Sequence, residues 1–137
     1  MTFTDDEIGY AKSQPVARFA SVPGTGQPDV TPVMFDGCHF YIGGHKPTRT
    51  RRPRNVRAGN EKVALVIDDL LSLAPWTLRF LRVYSTAGLV LHGGNNQILR
   101  LTPITSWSSN LSGTWSPESS YTLPVHKKDH TAEPRGL

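Results

Sequence analysis

Positive charge is concentrated in one short stretch of the sequence, GGHKPTRTRRPRNV, which covers residues 43–56. Six of the fifteen Lys and Arg residues lie from Lys46 to Arg57, and no acidic residue occurs between Asp36 and Glu61. Because like charges at this density repel one another, the stretch is expected to face an anion that offsets the repulsion.

A phosphate group is one anion that these residue types bind well. Thr50 supplies a hydroxyl, and Arg51 and Arg52 supply guanidinium groups, which bind phosphate oxygens through paired hydrogen bonds. Gly43 and Gly44 precede them and let backbone N–H groups approach a ligand closely. Two other interpretations stay open on composition alone. One is a solvated basic loop without a ligand, and the other is a nucleic-acid site, which the lack of interleaved aromatic residues disfavours.

The remaining chemically capable residues form neither a catalytic nor a metal-binding pattern. His126 and His130 are four residues apart, but no helical pattern and no third ligand accompany them. Cys38 lies in a predicted strand, and the sequence has no G-x-S-x-G motif for a nucleophile. Asp68 and Asp69 end a predicted strand and are assigned a structural role. We therefore expect no metal site, and these residues give no support for a nucleophilic triad.

Length and composition indicate a single domain of 137 residues with a net charge of +4, most of which comes from the cationic stretch. A local patch of this kind favours an anionic ligand over nucleic acid as a partner. The single cysteine excludes an intrachain disulfide and indicates a reducing compartment. The acidic N-terminus is unlike a signal peptide, and no apolar run reaches the length of a membrane span. The expected protein is soluble and cytoplasmic, without a membrane partner.

The elements that position these residues are mostly strands. The motif Thr4-x-x-Glu7 is a capping box and predicts a helix from Asp5 to Ser13. Turn signals and apolar runs predict six strands, at residues 16–22, 29–35, 38–44, 62–69, 78–91 and 97–107. The first three should form an antiparallel meander through a hairpin at Asp36-Gly37, and LSLAPW at 71–76 should be a loop. A small sheet of this kind removes its edges most simply as an antiparallel barrel.

The C-terminal residues 108–137 differ in character from the rest of the chain. They contain six serines and three prolines and show little periodicity. The predicted organisation is therefore a barrel domain at residues 1–107 followed by a poorly packed tail at 108–137.

The order of motifs over residues 3–107 resembles a known family. A T-P-V-x-F strand is followed by a strand ending in GGH, then by T-R-R and N-V-R-x-x-N-x-K-V-A-L-V-I-D-D. This order resembles the pyridoxamine 5′-phosphate oxidase-like split-barrel flavoproteins. Within them it is similar to the branch that uses the deazaflavin coenzyme F-420, and to the group with the reductases of tetracycline-type antibiotic biosynthesis.

The resemblance implies a mainly β split barrel that forms a homodimer, with the cofactor in a groove between subunits. It implies an F-420-dependent oxidoreductase that transfers a hydride between the deazaflavin and an electron-poor small-molecule substrate. Its phosphate grip would fall on Thr50, Arg51 and Arg52, and Arg49 and Arg54 would suit the acidic tail of F-420. The ring and ribityl chain would lie along Thr31, Pro32, Val33, Met34, Ile42, Gly43 and Gly44. The deazaflavin carries the hydride, so the resemblance implies no catalytic side chain.

Two alternatives within the same fold stay open. An FMN-dependent oxidase or reductase ranks second, because the single phosphate of FMN needs fewer cations than this stretch offers. The other alternative is a non-enzymatic barrel that binds a flavin or haem. In the haem case, His39 or His45 would be the axial ligand. The sequence also departs from the family pattern at Pro53 and at Ser85-Thr86, where a Gly-Arg pair is common.

Replacing both Arg51 and Arg52 with Ala should raise the dissociation constant of the cofactor by more than about tenfold, because each charge-assisted hydrogen bond contributes about 1.5–3 kcal/mol. The fold should stay intact. Titration of the purified variant with cofactor measures the effect, and an unchanged dissociation constant would place the phosphate grip elsewhere.

Overall fold

The computed structural model describes residues 3–22, 25–34, 41–42, 62–92 and 96–130. It contains one helix, α1 (Asp5–Ser13), and seven strands in these residues. The strands are β1 (Val16–Ser21), β2 (Asp29–Met34), β3 (Tyr41–Ile42), β4 (Lys62–Leu73), β5 (Trp76–His92), β6 (Asn96–Ser109) and β7 (His126–Asp129). The helix and the first six strands were predicted from the sequence, and β7 was not.

All strand pairs in the described sheet are antiparallel, and the strand order is β2-β1-β4-β5-β6-β3. The strands at the two ends of this order, β2 and β3, follow one another in the chain. β7 lies beside β6, on the edge that β3 also uses farther along the strand. The predicted mainly β split barrel is confirmed. Within the described residues, no helix has the length and apolar character of a membrane span.

Two local predictions need correction. Residues 71–76 are not a loop, because β4 continues to Leu73 and β5 begins at Trp76, with only Ala74-Pro75 between them. Pro75 occupies the turn, where its missing N–H costs no ladder hydrogen bond. The predicted β1–β2 pairing is present, but the described residues of β3 pair with β6 and not with β2. The hairpin signal at Asp36-Gly37 lies outside the described residues.

The core lies on one face of the sheet because strand side chains alternate between two faces. Phe19, Leu65 and Val83 stand opposite one another on β1, β4 and β5, and all three are fully buried. Ile67 and Leu81 extend this buried row of pairs. Each such side chain contributes about 1.5–3 kcal/mol when it leaves water, so the ladder of central strands carries most of the hydrophobic stabilisation.

Helix α1 begins with the predicted capping box. The Thr4 hydroxyl accepts a hydrogen bond from the Glu7 backbone N–H at 3.1 Å, and the Glu7 carboxylate accepts one from the Thr4 N–H at 2.8 Å. The helix buries Tyr10 and Ala11 against the barrel. Capping satisfies backbone donors that would otherwise be unpaired at the helix start.

A polar network joins α1 to the β4–β5 hairpin. Arg79 donates two hydrogen bonds to the Asp69 carboxylate, at 2.7 and 3.1 Å, and the Tyr10 hydroxyl donates to the same carboxylate at 2.8 Å. The Arg79 guanidinium also lies 4.9 Å from the centre of the Tyr10 ring. Burial and the Asp69 carboxylate raise the pKa of Tyr10. Asp69 thus has a structural role, as predicted, because it joins Tyr10 of α1 to Arg79 of β5.

The C-terminal segment packs against the barrel at several points up to residue 130. Lys128 Nζ lies 2.6 Å from the buried carboxylate of Glu7, and His130 Nε2 lies 2.8 Å from the buried Ser106 hydroxyl. Asn110 has a left-handed backbone, with φ of 58°, and its side chain exchanges hydrogen bonds with the Trp115 backbone. These contacts were not predicted from the sequence, and the domain boundary at 107 stays a prediction.

Asp69→Asn should lower the free energy of unfolding at pH 7 by about 1–2 kcal/mol, because it removes a charge-assisted pair. Burial raises the pKa of Asp69, but the hydrogen bonds from Arg79 and Tyr10 outweigh burial and hold the pKa below its ordinary value. Stabilisation from a depressed carboxyl pKa is present above the unfolded-state value of about 3.9 and disappears as the pH falls through the folded-state value. Urea unfolding at pH 7 and below pH 4 should therefore show the difference from the parent chain shrinking in acid.

The neighbouring residue Asp68 provides a matched control. It forms an ion pair with Arg18 at 3.1 Å, and the Arg18 side chain is 51% exposed. Asp68→Asn should cost about 0–1 kcal/mol, as is usual for exposed pairs. Equal losses for the two variants would contradict the structural role of Asp69 in joining α1 to the β4–β5 hairpin.

Candidate functional site

A cavity of about 430 Å³ opens on the sheet and is lined by residues of β1, β4, β5 and β6. Four of these residues stand in one row across the strands, since Ala20 pairs with Ala64, Ala64 with Tyr84, and Tyr84 with Thr105. The row lies on the face opposite the core, which we call the outer face. Alanine side chains rise little above a sheet, so the row is low at Ala20 and Ala64 and higher at Tyr84. The volume is in the range of small-molecule sites.

A stack of aromatic and cationic side chains stands beside this cavity on the outer face. The Arg82 guanidinium carbon lies 4.3 Å from the centre of the Trp107 ring and 5.6 Å from that of Tyr84. The Tyr84 and Trp107 rings meet edge to face, 4.7 Å apart. Arg82, Trp107 and Lys127 occupy one register row on β5, β6 and β7. Tyr84 therefore belongs both to the cavity and to the stack.

A buried hydroxyl also lies where the cavity meets the sheet. Ser85 is 1% exposed, and its Oγ has no hydrogen-bond partner in the part of the chain that the structure describes. The ladder shifts register next to it, because Tyr84 pairs with Thr105 and Ser85 with Pro103. A buried hydroxyl without a partner costs about 1–3 kcal/mol of desolvation.

The predicted ring-binding residues of β2 lie on an edge strand of the described sheet. Thr31, Pro32, Val33 and Met34 pair with β1, and Val33 is buried in the core. On their other side, β2 has no strand partner among the described residues. The predicted segment starts next to Val30, which pairs with Ala20 of the cavity row.

Of the other predicted site residues, Ile42 is on β3, where it pairs with Leu99 of β6. The remaining ones lie outside the described residues: Gly43, Gly44, Thr50, Arg51 and Arg52. Their role in binding a cofactor stays a prediction.

Sequence reasoning missed the residues of the cavity and the stack. The alternation in LRVYS does place Arg82 and Tyr84 on one face of a strand, and this signal could have been read. What the sequence does not contain is the register that sets Tyr84 beside Thr105 and Arg82 beside Trp107. Among the described residues, no group of three His, Cys, Asp or Glu side chains could hold a metal ion.

Comparison with known proteins agrees with this architecture. No family model matches the sequence. The chain is 32% identical, over an alignment of 147 positions that covers 99% of both chains, to the 5a,11a-dehydrotetracycline/5a,11a-dehydrooxytetracycline reductase of Streptomyces rimosus. A putative pyridoxamine 5′-phosphate oxidase from Listeria innocua superposes with a TM-score of 0.59 at 18% identity, covering 74% of this chain and 94% of that one. An F-420 reductase gives a TM-score of 0.54 at 18% identity, covering 70% and 92%.

The chain belongs to the pyridoxamine 5′-phosphate oxidase-like split-barrel family, in the group of the Streptomyces rimosus reductase. It is an oxidoreductase, as the motif order predicted. The alignment with the reductase also spans the C-terminal segment, which the resemblance over residues 3–107 did not include.

Ser85→Ala should raise the free energy of unfolding by about 1 kcal/mol, because it removes a buried hydroxyl that has no partner among the described residues. Ser106→Ala is the matched control. Ser106 is equally buried, at 1% exposure, but its hydroxyl is hydrogen-bonded to His130. This second variant should lose about 1 kcal/mol in the same denaturant titration. A loss of stability in Ser85→Ala as large as that in the control would show that the Ser85 hydroxyl has a partner.

Proposed function

We propose that the chain is a coenzyme F-420-dependent reductase that adds two hydrogens across a carbon–carbon double bond of a tetracycline-type compound. The observation that carries the proposal is the 32% identity to the Streptomyces rimosus reductase over 99% of both chains. The name of that enzyme describes a substrate that lacks hydrogens at carbons 5a and 11a. We assign the same class of reaction and a substrate of the same ring type to this chain.

The edge strands support a deazaflavin as the cofactor. β2 pairs only with β1, and β3 only with β6, so the backbone groups on their other edges have no strand partner among the described residues. Unpaired N–H and C=O groups along a strand can bind the polar edge of a planar heterocycle. We propose that the ring is held by these strands and the adjoining glycines, namely Thr31, Pro32, Val33, Met34, Ile42, Gly43 and Gly44.

The cationic stretch supports F-420 over FMN. We propose that Thr50, Arg51 and Arg52 bind the cofactor phosphate through a hydroxyl and two guanidinium groups. The stretch holds three further cations from Arg49 to Arg57 and also Lys46, which is more than one phosphate requires. An anionic cofactor with additional carboxylates accounts for this excess.

The protein's part in the reaction is to bind and orient. When bound, the deazaflavin supplies the hydride. The floor of the cavity at Ala20 and Ala64 and its wall at Tyr84 offer apolar surface on which a flat substrate can lie. No side chain is assigned as a catalytic acid or base.

Exposed apolar side chains support a homodimer. Val16 lies on β1, Val30 lies on β2, and Val22 directly follows β1; they are 46%, 67% and 42% exposed. Apolar side chains exposed on one region of a protein can mark an interaction surface. We propose that a second copy of the chain covers them and that the cofactor lies between the two copies.

Purified protein, titrated separately with F-420, FMN and haem, should bind F-420 at least about tenfold more tightly than FMN. Reduced F-420 should then be oxidised when 5a,11a-dehydrotetracycline is added, which the absorbance of the deazaflavin reports. Light scattering on the same sample should give the mass of a dimer.

Two results would overturn the assignment. Tight binding of FMN without binding of F-420 would make the chain an FMN-dependent enzyme. A haem Soret band that disappears in His39→Ala or His45→Ala, with no oxidation of reduced F-420, would indicate a non-enzymatic haem-binding barrel.

A further inference from the structure

We propose that the outer-face cavity is the substrate site, that it takes a flat ring system bearing an acidic oxygen, and that Arg82 binds this oxygen. The proposal rests on the proposed function in assigning the cavity to the reductase substrate. It adds the chemical class of the ligand and the residue that recognises it.

The shape of the cavity favours a flat ring system. Its floor is the row of Ala20 and Ala64, which project only a methyl group each, and its wall is the Tyr84 ring. Pro28 adds a further apolar surface. A low apolar floor beside an upright aromatic ring suits a planar ligand that lies on the sheet.

Arg82 can bind an anionic ligand, whereas the other arginines of the described strands β1 and β5 are already paired with carboxylates. Arg18 is paired with Asp68, and Arg79 is paired with Asp69. Arg82 is exposed and forms no ion pair with any residue that the structure describes. Its charge is thus available to a ligand.

The Trp107 ring orients the Arg82 guanidinium. The contact at 4.3 Å places the guanidinium over the aromatic ring, and Tyr84 flanks it at 5.6 Å. Stacking of this kind uses the face of a guanidinium and leaves the N–H donors around its edge free. Those donors match the two oxygens of a carboxylate, or the oxygens of an enolate conjugated with a carbonyl group.

The charges around the cavity agree with an acidic ligand. Lys62 lines the cavity, and Lys127 Nζ lies 6.0 Å from the centre of the Trp107 ring. Of the nearby acids, Asp68 is held by Arg18. Asp29 stands opposite Ser21 and Asp129 opposite Thr105, at the two ends of the cavity, away from Arg82 on its own row. Because the floor is apolar, an anion whose charge is spread over a ring system fits better than a small hydrated ion.

Two probes with the same flat frame test the ligand class. Anthracene-2-carboxylate and anthracene-2-carboxamide differ in charge but share three fused rings. Calorimetric titration of the full chain should show the carboxylate binding at least about tenfold more tightly, as expected for a charge-assisted pair. Arg82→Gln should reduce this preference to about twofold or less, and Arg82→Lys should leave an intermediate value, because it keeps the charge but loses the fork.

Arg18→Gln is the matched control, since Arg18 lies on the same face but is already paired with Asp68. It should keep the full preference for the carboxylate. Thermal unfolding of each variant checks that the fold is intact, which is expected because Arg82 is exposed.

Equal binding of the two probes by the parent chain, or a preference that survives in Arg82→Gln, would overturn the proposal.

In the enzyme assay, Arg82→Gln should raise the KM for 5a,11a-dehydrotetracycline about tenfold and leave the dissociation constant of F-420 unchanged. The two proposals can fail separately. A chain that prefers the carboxylate probe through Arg82 but does not oxidise reduced F-420 overturns the reductase assignment alone, and an active reductase without the probe preference overturns this inference alone.

Discussion

The antiparallel ladder of β4, β5 and β6 is the constraint on which the rest of the structure depends. In its central part the alternation of side chains sends Leu65, Ile67, Leu81 and Val83 into the core and leaves the intervening side chains outside. A shift by one residue would exchange the two faces and bury charged groups, so the hydrophobic set holds the register. The same register brings the outer-face residues into rows. Core packing and the shape of the cavity are therefore two results of one pairing.

The three arginines Arg18, Arg79 and Arg82 show how strand position decides what a charge does. Arg79 lies where helix α1 meets the hairpin, and a bidentate pair with Asp69 makes it part of the scaffold. Arg18 forms an exposed pair, which contributes little to stability. Arg82 stacks on Trp107 and retains an unused charge within the described structure. Identical side chains thus serve structure in one place and are available for binding in another.

The membership of this chain in a reductase group is consistent with a protein that contributes shape more than chemistry. In such enzymes the cofactor carries the electrons, and the protein selects and orients what reacts. We propose that the two edge strands bind the cofactor and that the outer-face cavity binds the substrate. The β1–β2 pair connects these regions, because Val30 pairs with Ala20 directly before the predicted ring-binding segment.

Much of the fold could be predicted from the sequence, because its signals are local. The capping box at Thr4 and Glu7 defined the start of α1, and apolar runs bounded by turn residues located six strands. The hairpin at Ala74-Pro75 was missed because a single proline in a two-residue turn looks like the centre of a longer loop. β7 was missed because the pattern of its four residues is polar, and only its pairing with β6 makes it a strand.

The sequence by itself determined the positions of six strands along the chain, the family, and a cationic stretch suited to a phosphate. Only the tertiary structure decided that Ala20, Ala64, Tyr84 and Thr105 share a row, and that Arg82 meets Trp107. The reason is physical. Residues that are neighbours along a strand are specified by covalent spacing, whereas neighbours across strands depend on register, which the packing of the whole core selects.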